Sequence, residues 1–217
     1  MSDKVVQKIL SQKIIVIVRK VYGDDLVKLG KAMYAGGIRL IEVTFDQADK
    51  DCINKTSEAI RLLKANLPDE MAIGAGTVLN VEQVHAAYDA GGEFIISPNV
   101  KAEVIAATKS LGMVSIPGAM TPTEILDAHD AGADFVKLFP AGYLGFGYIK
   151  DILAPISHVK LVATGGVTEE NLPNYLEAGF VGAGISGRLT DKKLIAENNF
   201  AELENRARCF SGIAESK

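Results

Sequence analysis

The sequence is poor in cysteine, in net charge and in long hydrophobic runs. Cys52 and Cys209 are the two cysteines among 217 residues, and isolated cysteines without metal-ligand spacing predict neither a disulfide framework nor a zinc site. A formal net charge of -4 provides no general attraction to nucleic acid or to an anionic membrane surface. No segment approaches the roughly 20 apolar residues that span a bilayer, and the N-terminal residues lack a signal-peptide core. These absences predict a cytoplasmic protein with neither nucleic acid nor membrane as a partner.

Three further absences narrow the chemistry. The histidines, His85, His129 and His158, belong to no His/Asp/Glu cluster with metal-site spacing, which predicts no metal. Residues 19–23, after the first predicted strand, lack the Gly-x-Gly-x-x-Gly pattern of dinucleotide-binding folds, and we expect no cofactor. No strand-end serine has a histidine base at a recognisable spacing, which argues against a serine hydrolase.

What the chain contains is a regular alternation of short Val/Ile-rich segments with amphipathic helical patterns. Several helical patterns end in Ala-Gly, where the glycine is suited to the left-handed conformation of a helix C-cap. Helices are predicted, for example, over residues 25–34, 51–65, 81–89 and 122–129. Eight strands are predicted over residues 14–19, 38–45, 71–77, 94–97, 113–117, 135–139, 160–164 and 181–186.

Strands that alternate with helices pair in parallel through right-handed crossovers. Eight regularly spaced units favour an α/β fold closed into a (β/α)8 TIM barrel over an open doubly wound sheet. With 48% hydrophobic residues, the chain is long enough to bury one large core. We therefore predict a single domain over residues 1–217, with a C-terminal closing helix over about 192–213.

Lys137 is the most informative residue because it lies in the middle of an otherwise apolar strand. Strand alternation places Phe135, Lys137 and Phe139 on one face. A lysine on the inward face is desolvated, which lowers its pKa and leaves part of the population as a neutral amine that attacks carbonyls. The alternative is a lysine whose stem covers apolar surface while its head reaches water.

Glu42 is a second ionisable residue in an apolar strand. Alternation groups it with Leu40 and Thr44, and a carboxylate inside the same barrel as Lys137 has an evident partner. The alternatives for Glu42 are a buried structural ion pair and an outward-facing strand position. Two ionisable groups in one apolar interior favour a functional site at the C-terminal ends of the strands.

A phosphate site is predicted at the turns that follow the seventh and eighth strands. Barrels often hold phosphate there with backbone N–H groups, and glycine permits a close approach. The alternative is a tight turn that needs glycine for its backbone angles alone. Arg19, at the end of the first strand, supplies a cation for phosphate or carboxylate unless it is a solvated loop residue. The residues of these two turns are Thr164, Gly165, Gly166, Gly184, Ile185, Ser186 and Gly187.

Six sequence blocks carry a resemblance to a known family. They resemble, in order and spacing, the aldolases of 2-keto-3-deoxy-6-phosphogluconate (KDPG) and 4-hydroxy-2-oxoglutarate (KHG), and the resemblance extends roughly from residue 14 to residue 186. The blocks are Ile41-Glu42-Val43-Thr44, Gly74-Ala75-Gly76-Thr77-Val78, Ile96-Ser97-Pro98, Ile116-Pro117-Gly118, Val136-Lys137-Leu138-Phe139-Pro140 and Thr164-Gly165-Gly166-Val167.

The resemblance implies a metal-free class I aldolase, usually a homotrimer, that cleaves a keto acid, phosphorylated or not, to pyruvate and an aldehyde. The aldehyde would be glyceraldehyde 3-phosphate or glyoxylate. It implies that Lys137 forms the Schiff base, that Glu42 is the general acid and base, and that Thr77 contacts the pyruvate carboxylate. Thr44 and Phe139, on the faces of Glu42 and Lys137, complete the predicted substrate site.

Two positions depart from the family pattern. Asp46 stands where KDPG-cleaving members have an arginine that grips the pyruvate carboxylate, and an inward-pointing Asp46 would repel that carboxylate and raise the pKa of Glu42. Ile185 stands where the phosphate loop normally has glycine, and its bulk would narrow the loop unless Arg188 restores a contact. The hypothesis is that the aldol chemistry is retained while the preferred aldehyde half, or its phosphorylation, differs from that of KDPG.

Two other functions stay open from the residues alone. One is a phosphate-binding barrel isomerase or epimerase in which Lys137 and Glu42 act only as acid and base. The other is a keto-acid binding protein that has lost turnover through Asp46. The glycine-rich segment 142–148 is either a mobile loop over the site or a flexible connection.

Overall fold

The computed structural model describes residues 2–217, which form nine β-strands and ten α-helices, with a helix between successive strands except between β5 and β6. The strands are β1 Ile14–Val18, β2 Leu40–Thr44, β3 Ala72–Gly76, β4 Phe94–Ile96, β5 Val114–Ile116, β6 Gly118–Ala119, β7 Val136–Leu138, β8 Leu161–Thr164 and β9 Gly182–Ile185. The helices are α1 Ser2–Gln12, α2 Gly23–Ala35, α3 Cys52–Asn66, α4 Val81–Asp89, α5 Ala102–Ser110, α6 Pro122–Asp130, α7 Gly145–Leu153, α8 Leu172–Glu177, α9 Lys192–Ala196 and α10 Phe200–Glu215.

The strands pair in parallel in the order β5-β4-β3-β2-β1-β9-β8-β7-β6. Because β5 and β6 are separated only by Pro117, the two ends of this sheet belong to one stretch of chain and the barrel closes there. The predicted barrel is confirmed, and β5 lies within the fifth predicted strand, while β6 is an additional short strand beyond its predicted end. Pro117 has no N–H to donate to a neighbouring strand, while its carbonyl accepts from Lys137 N at 2.8 Å.

Strand alternation separates two apolar layers. Outward residues such as Val16, Ile41 and Val43 pack against the surrounding helices. The inner cluster contains Ile15, Leu40, Ala72, Phe94, Ile96, Val114, Ile116, Phe135 and Val162, together with Val5 and Ile9 of α1. Burying each of the two α1 side chains contributes on the order of 2 kcal/mol from desolvation. Helix α1 therefore closes the N-terminal end of the barrel, and the opposite end carries the polar groups.

The predicted Ala-Gly helix ends are confirmed. Gly37, Gly91, Gly132 and Gly179 have φ angles of 93°, 91°, 94° and 105°, a region that residues with a Cβ atom rarely adopt. Each reverses the chain directly from a helix towards the next strand. These turns keep the loops at the N-terminal end of the barrel short.

The segment 192–213, predicted as one closing helix, contains two helices. The chain turns between α9 and α10 at Asn198, whose φ is 52°, and the Asn199 side chain accepts from Glu202 N to cap α10. Helix α10 then packs on α2, where the Ser211 hydroxyl donates to the Gly36 carbonyl at 2.6 Å.

The glycine-rich segment 142–148 is not an open loop. It contains the end of a 3-10 turn at Ala141–Tyr143 and the first residues of α7. Gly142 N donates to the Gly165 carbonyl at 2.7 Å, and the Tyr148 hydroxyl donates to the Met120 carbonyl at 2.8 Å.

None of the helices in residues 2–217 combines the length and apolarity needed to cross a bilayer.

Candidate active site

Lys137 and Glu42 enter the barrel interior from opposite sides. Lys137 is central in β7 and Glu42 is central in β2. Strands β1, β9 and β8 lie between them on one side, and β3, β4 and the β5–β6 stretch lie between them on the other. Side chains from alternate strands share a layer in barrels of this type. Both residues are buried, with Lys137 5% exposed and Glu42 1% exposed.

Burial controls the protonation of both groups. Desolvation raises the pKa of Glu42 to about 7, against the opposing effects of the Lys137 and Arg19 charges. Desolvation lowers the pKa of Lys137, while the charge of Glu42 acts in the opposite direction. Glu42 Oε2 is buried and has no hydrogen-bond partner within residues 2–217. An unpaired buried carboxylate is unfavourable, so this carboxyl can exchange its proton near neutral pH.

Gly76 of β3 provides the space that the Glu42 carboxyl occupies. A Cβ atom at Gly76 would lie 2.6 Å from both Cδ and Oε1 of Glu42. Such contacts are shorter than real Cβ atoms make, and strand pairing of β2 with β3 fixes both backbones. The glycine is therefore required by the position of the carboxyl.

For the aldol cleavage that the resemblance implies, we expect Gly76→Ala to lower kcat by about a hundredfold. Glu42 is the predicted general acid and base, and a displacement of roughly 1 Å at such a group has an effect of that size. Steady-state kinetics on the purified variant, with its thermal unfolding midpoint, measure the effect. Gly212→Ala is the matched control, because a Cβ atom at Gly212 in α10 meets open space. Unchanged kcat in Gly76→Ala would show that Glu42 is not held by this contact.

Phe139 links the lysine to the turn after β8. Lys137 Nζ lies 4.9 Å from the centroid of the Phe139 ring. A Cβ atom at Gly165 would lie 3.4 Å from the same ring, and one at Gly166 would lie 2.9 Å from Gly142 Cα. Gly165 and Gly166 both have positive φ angles, 87° and 78°. The two glycines thus allow the β8 turn to pack directly on the chain that follows Lys137.

Arg19 and Thr77 meet at the mouth of the barrel. Arg19 Nη1 donates to Thr77 Oγ1 at 3.1 Å, and the Arg19 charge affects the pKa values of Glu42 and Lys137. Thr77 has a φ of 57°, a backbone conformation that costs a non-glycine residue on the order of 1–3 kcal/mol. The structure therefore places a cation and a strained threonine beside the lysine and carboxyl pair.

The other predicted site residues lie around this mouth. The buried Thr44 hydroxyl donates to the Val18 carbonyl at 3.2 Å, directly before Arg19. Thr164 pairs in register with Gly184, and a Cβ atom at Gly184 would lie 2.8 Å from Thr164 Oγ1. Ser186 Oγ donates to the Ile17 carbonyl at 3.3 Å. The hydrogen bonds of Thr44 and Ser186 therefore link the C-terminal end of β1 to the C-terminal ends of β2 and β9.

Asp46 does not act on Glu42 as the sequence led us to consider. Its carboxylate forms an ion pair of 2.8 Å with Lys20 Nζ, and the hydrogen bond from Lys20 lowers the pKa of Asp46. Asp46 is not among the charges that shift the pKa of Glu42, which are Lys137 and Arg19. The negative charge at position 46 is therefore compensated locally.

Ile185 and Arg188 also differ from expectation. The Ile185 side chain is buried in the outer apolar layer with Val16 and Val18, so its bulk does not narrow the turn that follows β9. Arg188 donates through Nε and Nη2 to the Glu169 carboxylate at 3.0 and 2.9 Å. Arg188 is thus engaged by a carboxylate rather than presented to a phosphate.

Three residues near the site were missed in the sequence. Lys20 pairs with Asp46. Gln47 donates to the Thr77 carbonyl, and Gln83 bonds the Gln47 amide and accepts from Leu79 N. The position of Lys20 beside Arg19 at a strand end was a usable signal, whereas the two glutamines carry no recognisable motif.

A cleft of about 390 Å³ beside the mouth is lined by Arg19, Lys20, Ser186, Gly187, Thr190, Asp191 and Lys192.

Comparison with known proteins agrees with this geometry. A family model for KDPG and KHG aldolases matches residues 5–206. The 2-dehydro-3-deoxy-phosphogluconate aldolase of Haemophilus influenzae is 31% identical over 203 residues, covering 93% of this chain and 92% of that enzyme. The 2-dehydro-3-deoxy-6-phosphogalactonate aldolase of Escherichia coli K12 is 34% identical over 177 residues, covering 81% of this chain and 83% of that enzyme.

A solved structure shows the same fold with a reaction intermediate. It is a KDPG aldolase from Legionella pneumophila with pyruvate captured as a covalent carbinolamine. That protein is 27% identical, superposes with a TM-score of 0.83, and the match covers 94% of this chain and 97% of that chain. With the family model matching nearly the whole barrel and two relatives above 30% identity, this chain belongs to the KDPG and KHG aldolase family.

Proposed function

We propose that the protein is a class I aldolase that reversibly cleaves a 4-hydroxy-2-keto acid to pyruvate and an aldehyde. One observation carries the proposal: a buried lysine shares the barrel interior with a buried carboxyl whose pKa is about 7. Desolvation favours the neutral amine of Lys137, which is the nucleophilic form. The carboxyl is able both to give and to take a proton at neutral pH.

Lys137 and Glu42 together account for each step of the aldol cleavage. The Lys137 amine adds to the C2 ketone, and Glu42 delivers the proton with which the carbinolamine loses water to form an iminium ion. Glu42, now a carboxylate, takes the proton of the C4 hydroxyl as the C3–C4 bond breaks, and that electron pair forms an enamine while the aldehyde leaves. Glu42 returns the proton to C3, which converts the enamine to the pyruvyl iminium ion. Water then hydrolyses this iminium ion to pyruvate and the free amine, and the proton released goes back to the Glu42 carboxylate.

Arg19 is proposed to hold the carboxylate of the keto acid. Position 46 carries an aspartate paired with Lys20, so the family's arginine after the Glu42 strand is missing. Arg19 Nη1 already lies 3.1 Å from Thr77 Oγ1, the residue implied by resemblance to contact the pyruvate carboxylate. A guanidinium and a hydroxyl together satisfy a carboxylate through charge-assisted hydrogen bonds.

The opposite end of the substrate is proposed to be phosphorylated. The cleft beside the mouth contains Lys192 in addition to Arg19, which is assigned to the carboxylate, and Lys20, which pairs with Asp46. The carboxylate of Asp191 in that cleft already pairs with Arg206 and accepts from two backbone N–H groups of α9. The cleft therefore presents net positive charge next to the glycine turns. Positive side chains and exposed backbone N–H groups favour a phosphate group.

A substrate panel tests the reaction and its preference. We expect pyruvate release from KDPG, from its galactonate counterpart and, with a KM at least about tenfold higher, from KHG, because one charge-assisted contact has an effect of that size. Lys192→Met should raise KM for the two phosphorylated acids, whereas Lys193→Met, on the neighbouring exposed lysine, should not. Release of pyruvate is followed continuously for each acid.

The panel also separates the alternatives. The hypothesis that the preferred aldehyde half differs from that of KDPG predicts that the galactonate counterpart, the substrate named for the 34% identical Escherichia coli relative, is cleaved faster than KDPG. Equal or better cleavage of KDPG than of the other two acids would contradict that preference. No pyruvate from any of the three would contradict aldol cleavage itself.

A further inference from the structure

Thr77 is held in its left-handed conformation by a side chain that does not belong to its own loop. Thr77 follows β3, and its φ of 57° presents both its hydroxyl and its carbonyl at the barrel mouth. Gln47, which follows β2, donates from Nε2 to the Thr77 carbonyl at 2.7 Å. Arg19 Nη1 donates to the hydroxyl of the same residue at 3.1 Å. Groups from two neighbouring strand ends therefore fix Thr77 at two different atoms.

Gln47 is itself fixed by Gln83. The two side-chain amides face each other: Gln83 Nε2 donates to Gln47 Oε1 at 2.9 Å, and Gln47 Nε2 donates to Gln83 Oε1 at 3.3 Å. Gln83 is buried, and its Oε1 also accepts from Leu79 N at 2.8 Å. The orientation of the Gln83 amide is thus set by the backbone after Thr77, and this orientation in turn directs the Gln47 N–H group at the Thr77 carbonyl.

Asp46 and Gln47 follow β2 and contact the residues after the two strands that flank it, Asp46 on the β1 side and Gln47 on the β3 side. Asp46 pairs with Lys20, after β1, whose φ is also 57°, and Gln47 contacts Thr77, after β3. The Lys20 pair is exposed, with side chains 59% and 21% accessible, and exposed ion pairs contribute little. Gln47 is itself exposed, but its contact is anchored by hydrogen bonds to the buried Gln83, so it is the better candidate for a role in the site.

We propose that Gln47, oriented by Gln83, is a positioning residue that holds the Thr77 hydroxyl where the substrate carboxylate binds. The inference rests on the proposed function, in which Thr77 and Arg19 bind that carboxylate. The carboxylate contact is the same in the ground state and the transition state. Loss of such a uniform contact raises KM and leaves kcat unchanged.

A purely structural role for Gln47 has a different signature. If Gln47 only stabilised its loop, its substitution would lower the unfolding midpoint of the protein and the fraction of active molecules. The apparent kcat would then fall while the affinity for pyruvate stayed the same. The two roles are therefore separated by measuring pyruvate affinity, kcat and thermal stability on the same preparations.

The test compares Gln47→Met and Gln47→Ala with Lys50→Met, an exposed residue of the same loop. Methionine keeps the length of the side chain without charge or donor, and alanine removes it. Pyruvate affinity is read from the concentration that half-saturates borohydride trapping, by intact-protein mass spectrometry. We expect this concentration, and KM in cleavage, to rise roughly tenfold in both Gln47 variants. Lys50→Met should match the unsubstituted protein, and kcat should stay within about twofold in all three.

Two results would overturn the inference. One is unchanged half-saturation in both Gln47 variants while the unsubstituted protein traps pyruvate normally. The other is a fall in kcat and unfolding midpoint without a change in half-saturation, which would assign Gln47 to folding. Failure of the unsubstituted protein to trap pyruvate at all would instead count against the proposed function, so the two failures are distinguishable.

Discussion

Lys137→Ala is expected to eliminate borohydride-trapped pyruvate and to reduce aldol cleavage by at least about a thousandfold, the scale seen when a covalent nucleophile is removed. The Lys137 amine is the group proposed to form the imine, and alanine offers no replacement. Intact-protein and peptide mass spectrometry after reduction should place the pyruvyl adduct of the unsubstituted protein on Lys137 alone.

Lys160→Ala provides the matched control, because Lys160 is an exposed lysine adjoining β8. It should form the adduct and cleave the keto acid as the unsubstituted protein does. A reduced adduct that persists in Lys137→Ala would move the Schiff base to another lysine. Cleavage that persists without any adduct would favour an acid and base mechanism, as in the isomerase alternative.

The Glu42→Gln substitution is expected to lower kcat by about 10²- to 10⁴-fold, the usual contribution of a positioned general acid and base. Glutamine keeps the size of the side chain in the space left by Gly76, so the loss reports proton transfer rather than packing. Glu58→Gln, on an exposed face of α3, is the control and should leave kcat unchanged.

The same substitution should also change the titration of Lys137. The negative charge of Glu42 raises the pKa of Lys137, against the lowering by burial. Removing that charge leaves burial less opposed, so the pKa falls and the neutral amine persists to lower pH. The pH midpoint of pyruvate trapping should therefore move to lower pH in Glu42→Gln. A midpoint that moves upward, or a kcat within about tenfold of the unsubstituted protein, would remove Glu42 from the mechanism.

The strands and helices followed from local patterns. The Ala-Gly helix ends predicted turns now seen at Gly37 and Gly132, and alternation placed Lys137 inside the barrel. The same alternation, applied from Gly184, would have placed Ile185 on the outer face, where it lies. Pro117, the predicted end of the fifth strand, separates β5 from β6, because proline has no N–H to pair.

The loops were less predictable because their contacts are not periodic. An inward-pointing Asp46 would have repelled the substrate carboxylate, yet Asp46 forms an ion pair with Lys20. Arg188 was a candidate phosphate ligand, yet Glu169 binds it through two hydrogen bonds. Each partner comes from a different loop, and loops have no regular spacing from which such an approach is predicted.

By itself, the sequence determined the repeating units, the inward lysine and the inward carboxylate, because the period of a strand assigns every residue to a face. Tertiary structure alone decided how the groups act together. Closure of the barrel places Lys137 opposite Glu42 and removes both from water, which brings the pKa of Glu42 to about 7. The pairing of β2 with β3 brings Gln47 to Thr77, and Gln83 orients the Gln47 amide there. Desolvation and contacts between loops depend on the whole fold, and no local pattern encodes them.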